Sequence, residues 1–437
     1  MAAAHLGKTG PFAHRNVRTY AWFTILFNAR FYYPILAVFF LDLGLSLEQF
    51  VSLNAIWAAT IFLAEVPSGA LADLVGRKKL LQVASGLMVA EMTVLVLAPK
   101  DAGMLLFGLC ALNRILSGLA EAAASGADQA LAFDTLQNEG EEDRWDEVLE
   151  VVMRWKAGAM MVAMVVGALV YDASLVTTVV PLSEEMVHRL PVAFCLVQAV
   201  AVFFVCRQFE EAAVEKKAGL REVMTQTWGA ARWVFTTKTA LLLVVGGLLI
   251  DGFARNFATI NSEYYRNIAI PEWTFGLIAA ATAPLAFFIP RVAKSLARKF
   301  SPLTMLTATA GWAGLCLWGL AQVWPYWGVV PGIALLASLW QLDFLLSRYL
   351  NALADSKQRA TILSVKGLLF NVGYGLTSLG FSSLVAWERG RTDDPFQAAL
   401  EWQVPAFAGL FLVYYFVAKL FGMKRRIPLK TAKRTPT

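Results

Sequence analysis

The chain has 437 residues, of which 58% are hydrophobic and only 16% are charged. Soluble domains are about 45–50% apolar and about 25% charged, so this composition excludes an ordinary soluble protein and predicts an integral membrane protein. The formal net charge of +6 does not indicate nucleic-acid binding, because the basic residues lie in the turns between apolar segments.

Apolar segments of membrane-spanning length follow one another along the whole chain. A helix that crosses a bilayer needs about 20 predominantly apolar residues. We predict twelve spans, at residues 19–41, 48–72, 80–98, 104–131, 151–171, 190–206, 239–262, 273–296, 302–322, 326–350, 361–387 and 400–421. The expected fold class is therefore all-α, an integral membrane protein with twelve transmembrane helices in two pseudo-symmetric six-helix bundles.

The basic residues predict the orientation of these spans. Of 38 Lys and Arg residues, 29 lie on the side of the two termini, five lie on the opposite side and four lie within spans. Cytoplasmic loops carry the excess of Lys and Arg, so both termini are predicted to be cytoplasmic, in the cell inner (plasma) membrane. The N-terminus has no apolar core of signal-peptide type, so span 1 is expected to act as its own insertion signal.

The cysteines and histidines do not indicate a metal site or a catalytic centre. The four cysteines lie in apolar segments or at their ends, without metal-ligand spacing, and the three histidines lie outside the spans. We expect no metal and no cofactor. The sequence shows no nucleophile–base constellation, so we do not expect an enzyme.

A basic turn joins spans 2 and 3 at residues 69–79. Gly69 is expected to let two helices approach closely, and Gly76 to let the chain reverse. Asp73 can satisfy the free amides at a neighbouring helix N-terminus, while Arg77 finds a carboxylate.

This turn resembles the signature loop of the major facilitator superfamily, G-x-L-A-D-x-x-G-R-K. The matching residues are Gly69, Leu71, Ala72, Asp73, Gly76, Arg77 and Lys78. The resemblance implies two six-helix halves with a substrate site at the membrane midplane between them. It also implies a cytoplasmic gate, in which Asp128 at the end of span 4 is expected to be the partner of Arg77.

The longest cytoplasmic connection divides the chain into 1–206, a linker at 207–238 and 239–437. Apolar residues recur at helical spacing between 220 and 235, which predicts an amphipathic helix on the cytoplasmic face. The halves repeat weakly, since Pro67 corresponds to Pro290 and Glu121 to Asp343, at offsets of 223 and 222. The stretch 134–150 carries eight acidic residues and one Arg and is expected to be a solvated loop.

Charged residues inside spans are costly and typically mark ion pairs or transport pathways. The predicted substrate contacts are Asn28, Arg30, Arg114, Asp251, Arg255, Asn256 and Gln341. The predicted proton carriers are Glu121, Asp251 and Asp343. In the superfamily, the spans that carry them (1, 4, 7 and 10) line the central cavity. The alternative is that each charge belongs to a purely structural salt bridge.

Two pairings are expected inside the spans, together with the position of one lysine. Asp251 and Arg255 are four residues apart on one helix face and can pair. Glu91 in span 3 is expected to pair with Arg114, and Lys366 to extend its ammonium group to the membrane surface.

The resemblance implies a secondary active transporter of a small organic solute, coupled to protons and acting as a monomer. We favour export of an amphipathic or organic-ion compound, although span 5 lacks the G-P-x-x-G-G pattern of drug antiporters. The alternatives are uptake of an anionic metabolite, because three intramembrane arginines can bind an anion, and a non-transporting scaffold or sensor. A scaffold predicts that all intramembrane charges are mutually paired.

Overall fold

The computed structural model describes residues 10–211, 220–355 and 358–423, in which the chain forms α-helices, short 3-10 turns and no β-strand. The helices are α1 (Arg15–Asn28), α2 (Leu36–Asp42), α3 (Leu47–Val75), α4 (Arg77–Leu97), α5 (Met104–Ala124), α6 (Ala127–Asn138), α7 (Trp145–Tyr171), α8 (Ala173–Val176), α9 (Glu184–Cys206), α10 (Leu220–Thr236), α11 (Lys238–Asn267), α12 (Phe275–Thr282), α13 (Leu285–Lys299), α14 (Pro302–Ala321), α15 (Val329–Leu353), α16 (Arg359–Glu388) and α17 (Pro395–Leu420).

The described residues contain eleven stretches of helix that are long and apolar enough to cross a membrane. They coincide with all of the predicted spans except span 8, so the all-α, multi-pass membrane fold is confirmed. Span 8 is divided into α12 and α13 at Pro284, which lacks a backbone N–H and clashes with the carbonyl four residues earlier. The preceding Ala283 amide bonds to the nearer carbonyl of Ala280 at 3.1 Å.

Span 1 is also interrupted, between α1 and α2. Pro34 cannot donate to the carbonyl of Arg30, so the α-helix ends at Asn28 and a 3-10 turn follows at Tyr33–Ile35. A broken helix in a membrane exposes backbone groups, which must find partners inside the protein.

Helices α7 and α9 pack against the interrupted segment, and α9 supplies hydrogen-bond partners for its backbone. The amide of Phe31 donates to the Cys195 thiol at 3.2 Å, and the Gln198 side chain donates to the carbonyl of Leu26. A Cβ atom at Gly167 of α7 would lie 1.7 Å from the Phe31 carbonyl oxygen, so only glycine permits this approach.

The described residues form two compact units, and α11 contributes to both. The first comprises the described part of 1–224 together with Thr259–Ala283, and the second comprises Thr225–Ala258 with the described part of 284–437. The last third of α11 therefore packs with helices from the first half of the chain. One contact is the Ser262 hydroxyl, which accepts from the amides of Ala37 and Val38 at 3.0 and 3.3 Å. It satisfies donors that the first turn of α2 leaves free.

Two expectations about the loops have different outcomes. The linker contains the helix α10, on which Trp228 is 73% exposed while Ala230 and Val234 are buried. The acidic stretch 134–150 is not an extended loop, because α6 continues to Asn138 and α7 begins at Trp145. Glu150 and Arg154 pair at 2.5 Å across one turn of α7, which explains how an acidic sequence remains helical.

Candidate functional site

The interruption of span 1 places Arg30 in a buried ion pair of the first unit. Its Nη1 atom lies 3.6 Å from Oε2 of Glu91 on α4, and the two side chains are 4% and 0% exposed. Its Nε donates to the carbonyl of Phe27 at 3.2 Å. Both Glu91 oxygens lack hydrogen bonds within the described structure. The expected pairing of Glu91 with Arg114 is wrong, because the unwound segment brings Arg30 to Glu91.

Arg114 on α5 makes no ion pair with a described residue, and the carboxylate within its electrostatic range, Glu91, is already paired with Arg30. Arg114 is only 6% exposed, and its Nε and Nη2 atoms make no hydrogen bond within the described structure. Its guanidinium lies over the Phe40 ring, 4.8 Å from the ring centre. Such a cation–π contact is worth about 2 kcal/mol when desolvated, which offsets only part of the cost of burying a charge.

The neighbouring Asn113 and Asn28 have local partners. The amide of Asn113 donates to the backbone carbonyl of Glu91 at 2.9 Å, which holds α5 against α4. The amide of Asn28 donates to the carbonyl of Thr24 in its own helix at 2.8 Å. Glu121, one predicted proton carrier, is exposed and lies close enough to Glu65 of α3 for the two carboxylates to repel each other.

In the second unit, Asp251 and Arg255 pair along one face of α11, as expected. Arg255 Nη2 lies 2.8 Å from Asp251 Oδ2, and Arg255 Nη1 donates to Asn371 Oδ1 of α16 at 2.9 Å. The guanidinium also lies over the ring of Tyr374. The Arg255 guanidinium therefore contacts the Asp251 carboxylate, the Asn371 amide and the Tyr374 ring at the same time.

Asp343 on α15 pairs with Lys366 of α16 at 2.7 Å, so the prediction that Lys366 extends to the membrane surface is wrong. The Lys366 side chain is 11% exposed and that of Asp343 is 71% exposed. The lysine ammonium group also lies 5.7 Å from the ring centre of Phe370, one turn along its own helix.

Two other predicted substrate contacts bond to neighbouring helices. Gln341 donates to the Thr309 hydroxyl of α14 at 2.7 Å. Asn256 is 1% exposed and accepts from the Ser378 hydroxyl of α16 at 3.4 Å.

The basic turn between α3 and α4 differs from its expected arrangement. Arg77 pairs with Asp134 of α6 rather than with Asp128. Asp128 accepts instead from the Thr24 hydroxyl at 3.1 Å and from the amide of Gln129 at 2.8 Å. Both acids lie on α6, and the one that Arg77 reaches is a turn and a half further along the helix.

The first amides of α4 are capped by a residue that the sequence did not single out. The Glu211 carboxylate accepts from the amides of Arg77 and Lys78 at 2.9 and 3.1 Å. Asp73, which was expected to cap the N-terminus of a neighbouring helix, lies outside the described side chains. Gly76 has a φ of +95° and makes the reversal that its position predicts. Gly69 does not serve close helix packing, because no described atom lies within 4 Å of the position of a Cβ there.

A second cluster of charges lies in the first unit around Arg266, near the end of α11. Its guanidinium donates two hydrogen bonds to Asp42 at 2.8 and 2.7 Å, and its Nη2 donates to Glu272 at 2.8 Å. Tyr171 donates to Asp42 at 2.5 Å and stacks on His188. By the predicted orientation this cluster is on the extracytoplasmic side. A single arginine beyond a predicted span was the only sequence signal for it.

Burial raises the pKa of Glu272 above the usual glutamate range, although the positive charge of Arg266 works in the opposite direction. The negative charge of Asp42 adds to the increase. The cluster therefore holds a proton more tightly than an exposed glutamate would.

Solved structures with the same fold are transporters. One is a substituted form of the nucleoside transporter NupG, which has a TM-score of 0.71 and 12% identity and covers 93% of this chain and 98% of that chain. Another is a substituted form of the peptide transporter POT, with a TM-score of 0.67 and 14% identity, covering 96% of this chain and 98% of that chain. No protein-family model and no curated protein matches the sequence. The likeness extends over nearly the whole chain and shows that it has the fold of these transporters, as expected.

Proposed function

We propose that this protein is a secondary active transporter that moves a small organic anion across the membrane by alternating access. The observation that carries the proposal is Arg114, a buried guanidinium that makes no ion pair with a described residue. Arg30 and Glu91 balance each other, so this buried group of three charges has a net charge of +1. A carboxylate or phosphate on the solute would balance that charge.

The unpartnered arginine also argues against the non-transporting scaffold. A scaffold predicts that every intramembrane charge has a partner of opposite sign, as Asp251 and Asp343 do. Arg114 makes its described contact with an aromatic ring, and the Glu91 carboxylate near it is shared with Arg30. A residue of this kind is costly in a membrane, which favours a functional role.

For the coupling proton, Glu121 is the best supported of the three carboxylates. Asp251 and Asp343 each already accept a hydrogen bond from a cationic side chain. Glu121 has another carboxylate, Glu65, as its electrostatic neighbour rather than a cation. We propose that a proton on Glu121 moves inward while the solute is exported, the direction that the sequence favours.

The Arg266 cluster would act as the extracytoplasmic gate. Four charge-assisted hydrogen bonds from its guanidinium join α11 to Asp42 at the end of α2 and to Glu272. Tyr171 at the end of α7 joins the cluster by donating to Asp42. On the other side, Arg77 with Asp134 and the Glu211 cap would form the cytoplasmic gate, with Gly76 at its turn.

Transport in proteoliposomes tests the proposal. Wild-type protein should exchange a labelled organic acid or organic phosphate under an imposed pH gradient, with the gradient applied in both directions to identify export or uptake. Arg114→Ala should raise the half-saturating solute concentration by about tenfold or more, since a charge-assisted pair contributes about 1.5–3 kcal/mol. Arg232→Ala, at an exposed position on α10, is the control. Equal transport by wild type and Arg114→Ala would contradict the anion proposal.

A further inference from the structure

The second unit contains a cavity of about 450 Å³ between α11, α16 and α17. Its apolar wall includes Leu248, Phe253, Leu376, Phe381, Leu384 and Leu410. None of the described residues that line it carries a charge. A volume of this size is within the range of about 300–1,000 Å³ that is typical of small-molecule sites.

One polar side chain in this cavity has no partner. Gln403 of α17 is 3% exposed, and both its amide nitrogen and its amide oxygen lack hydrogen bonds within the described structure. Each unsatisfied polar atom in an apolar environment costs free energy, so a buried amide of this kind is a rare feature. Asn256 also lines the cavity, and its carbonyl accepts from Ser378.

The position of Gln403 along α17 and the exposure of two lining leucines indicate from which side a molecule can enter the cavity. Gln403 is eight residues from the start of the 26-residue helix α17, which places it about 12 Å along the helix axis. Leu376 and Leu410 are 65% and 51% exposed and line the same cavity within predicted spans. A molecule that enters there meets mainly apolar surface, with Gln403 and Asn256 as the polar side chains among the larger lining residues.

We propose that this cavity binds an uncharged, lipid-soluble molecule with one hydrogen-bonding group, a carboxamide or a hydroxyl, on an otherwise apolar chain. A carboxamide fits best, since it can accept from the Gln403 Nε2 atom and donate to its Oε1 atom. A carboxylate is excluded by the absence of a cation among the described lining residues. The site is separate from Arg114, and the inference does not depend on the transport proposal.

Gly380 permits a direct test by filling the cavity. It lines the site, and no described atom lies within 4 Å of the position of a Cβ there, so Gly380→Leu adds side-chain volume without a backbone clash. Gly409 of α17 has the same open surroundings and does not line the cavity, so Gly409→Leu is the matched control.

The experiment is a thermal-shift titration of the purified full chain with oleamide, oleyl alcohol, oleate and 1-octadecene. We expect oleamide and oleyl alcohol to raise the melting temperature saturably, and 1-octadecene and oleate to do so much more weakly. Gln403→Leu should weaken oleamide binding by about tenfold, the loss expected for about one buried hydrogen bond, and leave 1-octadecene unchanged. Gly380→Leu should abolish the oleamide shift, and Gly409→Leu should retain it.

Two results would overturn the proposal. One is equal stabilisation by 1-octadecene and oleamide, which would mean that any apolar chain fills the cavity. The other is an unchanged preference for oleamide in Gln403→Leu. If Gly380→Leu fails to fold, Gly380→Ala and the Gln403 comparison still decide the question.

Discussion

Arg30 in span 1 and Asp251–Arg255 in span 7 are charges inside the first predicted span of each half of the chain, yet they pair in opposite ways. Arg30 lies in an unwound segment and reaches across to Glu91 on another helix, 3.6 Å away and without a hydrogen bond between them. Asp251 and Arg255 are one turn apart on a continuous helix, and Arg255 Nη2 donates to Asp251 Oδ1 at 3.0 Å. One pair depends on how helices pack, and the other depends on the helix itself. Local pairs survive small changes in packing, whereas long-range pairs do not.

The largest effect is expected when the long-range pair is broken. Glu91→Gln leaves Arg30 buried without an opposite charge and should destabilise the protein by about 3–5 kcal/mol, the typical cost for one half of a buried pair. Thermal unfolding in detergent measures the loss. The double variant Arg30→Met/Glu91→Leu removes both charges and should recover most of the stability. If the double variant is no more stable than Glu91→Gln, the charge does not explain the loss.

The unwound segment itself can be tested at Gly167. A methyl group there meets the Phe31 carbonyl oxygen at 1.7 Å, so Gly167→Ala should cost about 1–3 kcal/mol through forced movement of the backbone. Gly158→Ala on the same helix, where no described atom lies within 4 Å, should be neutral or slightly stabilising. Equal melting temperatures for the two variants would show that α7 does not need to approach the interruption so closely.

The local pair should be less sensitive to change. Asp251→Asn removes one charge but leaves an amide that can accept from Arg255, which also keeps Asn371 and is 29% exposed. We expect a loss of about 1 kcal/mol, the net value of one hydrogen bond, in the same unfolding assay. A loss as large as that of Glu91→Gln would remove the distinction between the two pairs.

The smallest effect concerns the pH dependence of the Arg266 cluster. Because burial raises the pKa of Glu272, the closed cluster binds a proton more tightly than an open one would. Acidification should therefore favour closure, and this contribution is lost as the pH rises through the raised pKa. Hydrogen exchange of residues 263–275, corrected for intrinsic rates, should slow between pH 7 and pH 5.

His188 must be replaced before this effect is assigned to Glu272, because its ring lies 3.9 Å from Asp42 and protonation would add a charge there. The comparison is His188→Gln against His188→Gln/Glu272→Gln. The second variant should lose the dependence on pH. A dependence that persists would have to come from Asp42 or Glu263, which also face Arg266.

The amino-acid sequence by itself determined the fold class and nearly all of the spans. Bilayer hydrocarbon leaves the backbone no partners except its own, so a long apolar segment has essentially one solution, a helix. The turn at Gly76 and the pair of Asp251 with Arg255 were also predictable, for a second reason. Both follow from the geometry of residues that are close along the chain.

The tertiary structure alone decided the long-range partners. Arg30 was assigned neither to Glu91 nor to an unwound segment, although Pro34 was visible, because proline can kink a helix as well as end it. Arg77 was matched to the wrong acid of α6, and Arg266 was treated as an ordinary loop residue. Successive helix residues differ by about 100° in direction and 1.5 Å in height, so a partner changes when one helix slides or rotates slightly against another. Only the packed helices contain that information.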